Sequence, residues 1–96
     1  MLTGKQRATL RKMANSIPAL YQIGKDGITE NVIRQLDDAL EARELIKVHI
    51  LDSALLDTRE CSDEIAAALG AEGVQAIGSK FVLYRKSENN PKIEIK

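Results

Sequence analysis

Tryptophan is missing from this 96-residue sequence, and its aromatic residues are Tyr21, Phe81 and Tyr84. So few rings argue against a function that stacks successive flat ligands on aromatic platforms. Cys61 is the single cysteine, which excludes an internal disulfide and fits a reducing compartment such as the cytosol. With one cysteine and one histidine, His49, the ligand spacing of a zinc site is absent. No apolar run approaches the length needed to span a bilayer. The opening MLTGKQRATLRK also lacks the apolar core of a signal peptide. A cytoplasmic protein without a membrane partner is expected.

What is present fits a folded globule. Charged residues make up 29% and hydrophobic residues 44%, ordinary values for one domain with one core. Formal net charge is zero, which disfavours indiscriminate polyanion binding, but the charges are segregated. Lys5, Arg7, Arg11, Lys12 and Lys25 precede the first acid, Asp26. From Asp26 to Glu72 twelve acids meet four bases, and beyond Gly73 five bases meet Glu88 and Glu94. A fold that joins the two ends gains a cationic face and an anionic face, and such polarity steers an anionic partner to one side.

Spacing predicts a helix over 2–14, with Leu2, Gln6, Leu10, Met13, Ala14 and Ile17 on one stripe. Its four basic residues then fall on the half turned away from Leu10 and Met13, and Pro18 stops the helix. ALYQI (19–23) reads as a strand. Thr29 suits the N-cap of a second helix, with Ile28 and Ile33 as a hydrophobic staple. Ile28, Val32, Leu36 and Leu40 form its buried stripe, and Glu30 in its first turn pairs with Arg34. LIKVHIL (45–51) alternates as a second strand. Asp57 and Glu60 have capping-box spacing before a third helix carrying Cys61, Ile65, Ala68 and Leu69, which Gly70 terminates. VQAI (74–77) and FVLYR (81–85) form a hairpin through Gly78, Ser79 and Lys80. The expected fold is α+β: one two-layer domain over 1–87, in the order helix-strand-helix-strand-helix-strand-strand, with one layer of helices on a mixed four-stranded sheet. A loose polar tail over 88–96 follows, in which the alternation of Ile93 and Ile95 leaves room for a further short strand.

Gly24-Lys25-Asp26-Gly27 is the segment that asks for a function. Two glycines bracket two charges between a strand and a helix. Glycine permits unusual backbone conformations and close approach, and the unpaired amides at the start of a helix favour anions. Lys25 adds a positive charge and Asp26 removes one. GxxG by itself is weak, and Gly70-Ala71-Glu72-Gly73 also matches, but it follows a helix and reads as a helix stop. Neither GxxxxGK followed by Ser or Thr nor GxGxxG occurs, so no nucleotide cofactor is expected. The remaining use of such a loop is to clamp a sugar–phosphate backbone.

Catalytic groupings are not apparent. His49 has no partner acid or cysteine in sequence, and Cys61 sits among aliphatic residues as a core thiol does. Asp37 and Asp38 point apart on a helix. Glu60, Asp63 and Glu64 read as a solvated face. Phe81 reads as core. No enzymatic activity, cofactor, metal or small-molecule substrate is expected.

Three blocks, LTGKQRATLRKMA, QIGKDGITENVIRQLDDALEARELIKVHI and IGSKFVLYR, resemble the CRM domain family, in particular its single-domain bacterial YhbY-type members. The blocks stand in the family's order and cover nearly the whole chain. The resemblance implies a domain similar to the KH-like C-terminal domain of translation initiation factor three. It further implies binding to ribosomal RNA in large-subunit precursors during ribosome assembly. By the same resemblance the RNA-binding residues are Gly24, Lys25, Asp26 and Gly27 in the loop and Lys5, Arg7, Arg11 and Lys12 in the first helix. Lys80, Arg85 and Lys86 are candidates near the last strand, and Ser79 holds a variable position that is often basic or polar in relatives. Asp26 either orients Lys25 or contacts a ribose hydroxyl. The alternative reading is a protein-interaction adaptor whose acidic segment, Asp37, Asp38, Glu41 and Glu44, docks basic ribosomal or processing proteins.

Overall fold

Thr3 sets the start of the first helix. Its hydroxyl accepts a hydrogen bond from the Gln6 amide at 3.1 Å, and the Gln6 side chain accepts one from the Thr3 amide at 3.0 Å, a reciprocal capping box. Helix α1 therefore spans Gly4–Ala14, and Leu2 packs from outside it. The computed structural model describes residues 2–95. Strand β1 (Tyr21–Ile23), helix α2 (Glu30–Arg43) and strand β2 (Leu45–Ile50) follow, then a 3-10 turn at Asp52–Ala54. Helix α3 (Thr58–Leu69), strand β3 (Glu72–Ile77) and strand β4 (Lys80–Tyr84) complete the order. It is the order expected from the sequence. Thr29 caps α2 by accepting from the Val32 amide at 3.1 Å. Asp57 caps α3 by accepting from the Glu60 amide at 2.9 Å. Gly70 ends α3 at a φ of 63°, where a side chain would be strained.

The sheet order is β1-β2-β4-β3. β1 runs parallel to β2, with Ile23 opposite Ile50, and the other pairings are antiparallel. Alternation along the strands splits their side chains between two faces. Ile46, Val48, Ile50, Phe81 and Leu83 join Leu36 and Leu40 of α2 and Cys61 and Ile65 of α3 in the main core. This is the helical layer that the sequence implies. The other face is covered as well: Leu45, Val74, Val82 and Tyr84 pack beneath Leu10 and Ala14 of α1, with Leu2, Ile17, Ile93 and Ile95 at the margin. Helices thus lie on both faces, because β2 and β4 carry apolar residues on each: Ile46, Val48, Phe81 and Leu83 on one, Leu45, Val82 and Tyr84 on the other. Leu10 and Ala14 set the buried side of α1, while Met13 and Ala68 of α3, both expected inside, are exposed.

A bulge places Val74. Gly73 pairs with Leu83 and Gln75 with Val82, so Val74 is the extra residue, turned into the core under α1.

The tail differs from expectation. Ile93 and Ile95 form no strand but pack at the margin of the α1-side core. The segment is not loose. Carboxylates of Glu41 and Glu44 accept hydrogen bonds from the backbone amides of Ser87, Glu88, Asn89, Lys92 and Ile93. Polar composition misleads here, since the acceptors come from α2, some 45 residues upstream. Met1 and Lys96, the outermost residues of the two expected segments, lie outside the described residues.

Candidate functional site

The Gly24–Gly27 loop follows β1 at the end of the sheet where β2 finishes and the β3–β4 hairpin turns. The Leu51 amide donates to the Ile23 carbonyl at 2.9 Å and the Ile50 amide to the Ser79 carbonyl at 2.7 Å. A third tie, from the Thr58 hydroxyl to the Gly78 carbonyl at 2.6 Å, brings the start of α3 to the same end. The loop, both helix starts and the hairpin turn are therefore neighbours.

The loop itself is a tight turn, closed by the Gly27 amide donating to the Gly24 carbonyl at 2.9 Å. The two glycines do different work. Gly27 has a φ of 72°, which disfavours any side chain. Gly24 has no such backbone. A Cβ there would lie 3.8 Å from Leu51 Cδ1, an ordinary contact. The fold therefore does not require glycine at position 24, and the bare surface is free for close approach. Lys25 and Asp26 at the tip are exposed. Thr29 takes the Val32 amide, so the other first-turn amides of α2 face outward as a partial positive charge. Asp26 and Glu30 oppose that charge, so the loop is a geometric cradle more than a strongly cationic one.

One row of the sheet faces outward beside this loop. Gln22 pairs with His49, His49 with Lys80, and Lys80 with Ile77. The row lies on the α1 side but beyond the reach of α1, and Ile77 is 66% exposed. Leu55, 92% exposed, and Leu56 add apolar surface next to Gly27. Sequence periodicity did not flag these leucines, since they fall between elements.

Of the expected RNA-binding residues, the structure gathers Gly24, Lys25, Asp26, Gly27 and Lys80 at this end. Lys5 and Lys12 are exposed on the outer side of α1. Arg7 departs from the expected orientation. It sits at the margin of the buried stripe, half-buried, and its guanidinium donates to the Gly73 carbonyl at 2.5 Å. Arg11, one turn later, shares a cleft with it, and Arg59 of α3 lines the same cleft. Arg59 was hidden in sequence because it lies within the acidic block.

Arg85 and Lys86 lie at the opposite end of β4, since Tyr84 pairs with Leu45. The Arg85 guanidinium donates to Asp37 Oδ1 at 2.6 Å, to the Asp37 carbonyl at 3.0 Å and to the Leu69 carbonyl at 2.9 Å. It joins the middle of α2 and the end of α3 to the sheet. Lys86 stands among Asp37, Asp38, Glu41 and Glu88. Neither faces the loop.

The expected acidic docking face is largely consumed inside the molecule. Asp37 pairs with Arg85. Glu44 is 0% exposed, and Glu41 holds the tail through Ser87, Glu88 and Asn89. Burial pushes the Glu44 carboxyl up, but the amides of Ser87, Lys92 and Ile93 outweigh it and leave it below the ordinary value. The Ser87 hydroxyl and the Glu88 and Asn89 amides likewise hold Glu41 below its ordinary value. Of the four acids, Asp38 alone stays exposed with no partner among the described residues.

Cys61 lies in the main core, where burial, with Glu64 nearby, pushes its thiol up to about 11. It stays protonated and unreactive at neutral pH. Among the described residues no group of three or more Asp, Glu, His or Cys could hold a metal ion, and no helix is long and apolar enough to cross a membrane.

Comparison with known proteins adds an independent line. The chain is 41% identical over 95 residues to the probable RNA-binding protein YqeI of Bacillus subtilis, covering 99% of each. It is 33% identical over 87 residues to a protein of Haemophilus influenzae named RNA-binding protein, covering 91% of this chain and 88% of the relative. The solution structure of a hypothetical protein from Staphylococcus aureus superposes with a TM-score of 0.79 at 47% identity, covering 100% of both chains. The CRS1 / YhbY (CRM) domain profile matches residues 2–85. With its Gly24–Gly27 loop between β1 and α2 and its full-length relatives, the chain belongs to the CRM domain family.

Proposed function

We propose that this protein binds RNA without catalysing a reaction, and that it acts in the cytoplasm on ribosomal RNA of large-subunit precursors during ribosome assembly. The Gly24–Gly27 loop carries the reading: an exposed strand-to-helix turn with a bare glycine and Lys25 at its tip, in a chain whose relatives bear RNA-binding names. A phosphate approaches Gly24 where no Cβ intervenes, meets the free amides of α2, and is drawn by Lys25. Asp26 and Glu30 keep that attraction modest. Affinity therefore draws also on Lys80 and on Lys5, Arg11 and Lys12 of α1 through phosphate contacts, and folded RNA shape supplies the selectivity.

Crosslinking RNA to the tagged protein in living cells and sequencing what is recovered tests this. A few sharp sites in large-subunit ribosomal RNA, lost in a Lys25→Asp variant, are expected. Scattered recovery no better than background would overturn the proposal.

A further inference from the structure

Three guanidinium groups meet at the free edge of the sheet. β3 is an outer strand, and a cleft of about 320 Å³ runs along it between α1 and α3. Arg7 and Arg11 enter from α1, one turn apart, and Arg59 enters from the first turn of α3, with Ser62, Asp63 and Gln75 between them. The bulge leaves the Gly73 carbonyl available, and the Arg7 guanidinium donates to it at 2.5 Å. That bond fixes one cation in the cleft wall and leaves most of its five donors unused.

Guarding an edge strand against pairing with another chain is a sufficient reason for one such charge. It does not account for Arg11 and Arg59. Their guanidinium groups have no hydrogen bond or ion pair among the described residues, and Asp63 offers a single negative charge against three positive ones. Like charges drawn together from two helices repel in the absence of a counter-ion. The planar guanidinium fork matches phosphate oxygens, and no aromatic side chain lines the cleft to hold a base.

We propose that the Arg7–Arg11–Arg59 cleft binds a phosphate group of the RNA backbone, as a second anion site apart from the Gly24–Gly27 loop. The proposal rests on the RNA-binding reading above. Arg59 directly follows Thr58, which is tied to the hairpin turn, and Lys80 opens β4 at that same turn. Lys80, Arg59, Arg11 and Arg7 thus lead from the loop end of the sheet, around its β3 edge, to α1. A strand of RNA following that course reaches both the loop end of the sheet and the first helix.

The test compares Arg59→Gln, Arg11→Gln and Lys25→Asp in the full chain. Arg7 is left intact because its bond to Gly73 supports the fold. Affinity for a labelled RNA hairpin with single-stranded flanks is measured across a salt series, and pyrophosphate is titrated while the arginine side-chain NMR signals are followed. The expected result is a roughly five- to tenfold loss of affinity for Arg59→Gln, with the slope of log K against log salt reduced by about 0.7–0.9. Arg59→Lys should recover part of the affinity, since charge returns without the fork. Affinity unchanged in both arginine variants, with Lys25→Asp still impaired, would overturn the cleft and leave the RNA reading standing. Wild-type protein that fails to bind RNA would overturn both, even if pyrophosphate shifts the Arg11 and Arg59 signals; the anion would then be a free phosphate.

Discussion

The Glu44 carboxylate accepts a hydrogen bond from the backbone amide of Ser87 at 2.7 Å, 43 residues away in the chain. Its second oxygen accepts from the Lys92 and Ile93 amides at 2.6 and 2.7 Å. The residue also caps α2 with a φ of 67°, a positive value that favours glycine. A glutamate stays there although the backbone is strained, because its side chain holds the C-terminal segment over the α1 side of the sheet.

Replacing Glu44 separates the two effects. Glu44→Ala keeps the strained backbone and leaves three amides without an acceptor, a loss on the order of 2–3 kcal/mol. Glu44→Gly loses the same bonds but relieves the strain, so it should be about 1 kcal/mol less destabilised than the alanine variant. Urea denaturation measures both, and hydrogen exchange at Lys92 and Ile93 should accelerate in each. An alanine variant as stable as the glycine variant would remove strain from the account.

Acid should release the tail before it unfolds the sheet. Glu41 and Glu44 are both held below the ordinary glutamate value of 4.5 in the folded protein. The unfolded chain therefore takes up protons first, and stability falls as pH falls. The contribution is complete above about 4.5 and lost as pH drops through the lower folded values. Amide signals of Ser87, Asn89 and Ile93 should move in that window while those of Val48 and Phe81 hold. A flat profile from pH 6 to 3 would contradict it.

The two loop glycines should respond differently to alanine. At Gly27 the positive φ makes the substitution cost about 1 kcal/mol or more. At Gly24 the new methyl meets Leu51 at an ordinary distance, so stability should hold within about 0.5 kcal/mol. If the backbone of the loop contacts RNA there, affinity should nevertheless drop for Gly24→Ala. Thermal melts and RNA titrations on the same samples check the pair, and a Gly24→Ala variant with full affinity argues against close approach at that residue.

Arg85 should act on stability and not on RNA. Its ion pair with Asp37 is partly exposed and contributes little alone, but its bonds to two carbonyls join the middle of α2 to the end of α3. Arg85→Gln should lower stability by about 1–2 kcal/mol and leave RNA affinity within about twofold, since one distant phosphate contact at most is involved. A strong loss of affinity in a folded Arg85→Gln protein would return the residue to the RNA surface.

Local signals were enough for most of the architecture. Thr29, Asp57 and Gly70 mark helix boundaries through short-range chemistry that a sequence displays directly, and all three act as caps. What was illegible depended on partners far apart in the chain. Nothing near Glu44 announces that its carboxylate meets Ser87. Arg59 looks like a lone base among acids until the fold sets it beside Arg7 and Arg11. Arg85, a candidate RNA contact by sequence, acquires its structural role only when Asp37 arrives. At the site, the strand-loop-helix context picked out Gly24–Gly27 correctly as a turn, but only three-dimensional geometry could tell that one glycine is needed for conformation and the other is not.

Lys25 gives the most direct test of the loop. It is exposed at the tip, with no hydrogen bond or ion pair among the described residues, so the fold does not depend on it. Lys25→Asp replaces the loop's cation with a second acid beside Asp26, and Glu30 stands in the following turn. Both the loss of one phosphate contact and the added repulsion act in the same direction, and screening should weaken them together. Affinity at low salt should fall roughly tenfold or more, with the gap narrowing as salt rises. Lys25→Ala, which removes the attraction without adding repulsion, should fall between the two. Equal affinity in all three proteins, with unchanged melting temperatures, would exclude the loop as an RNA contact and shift the interface to α1 and the β3 edge.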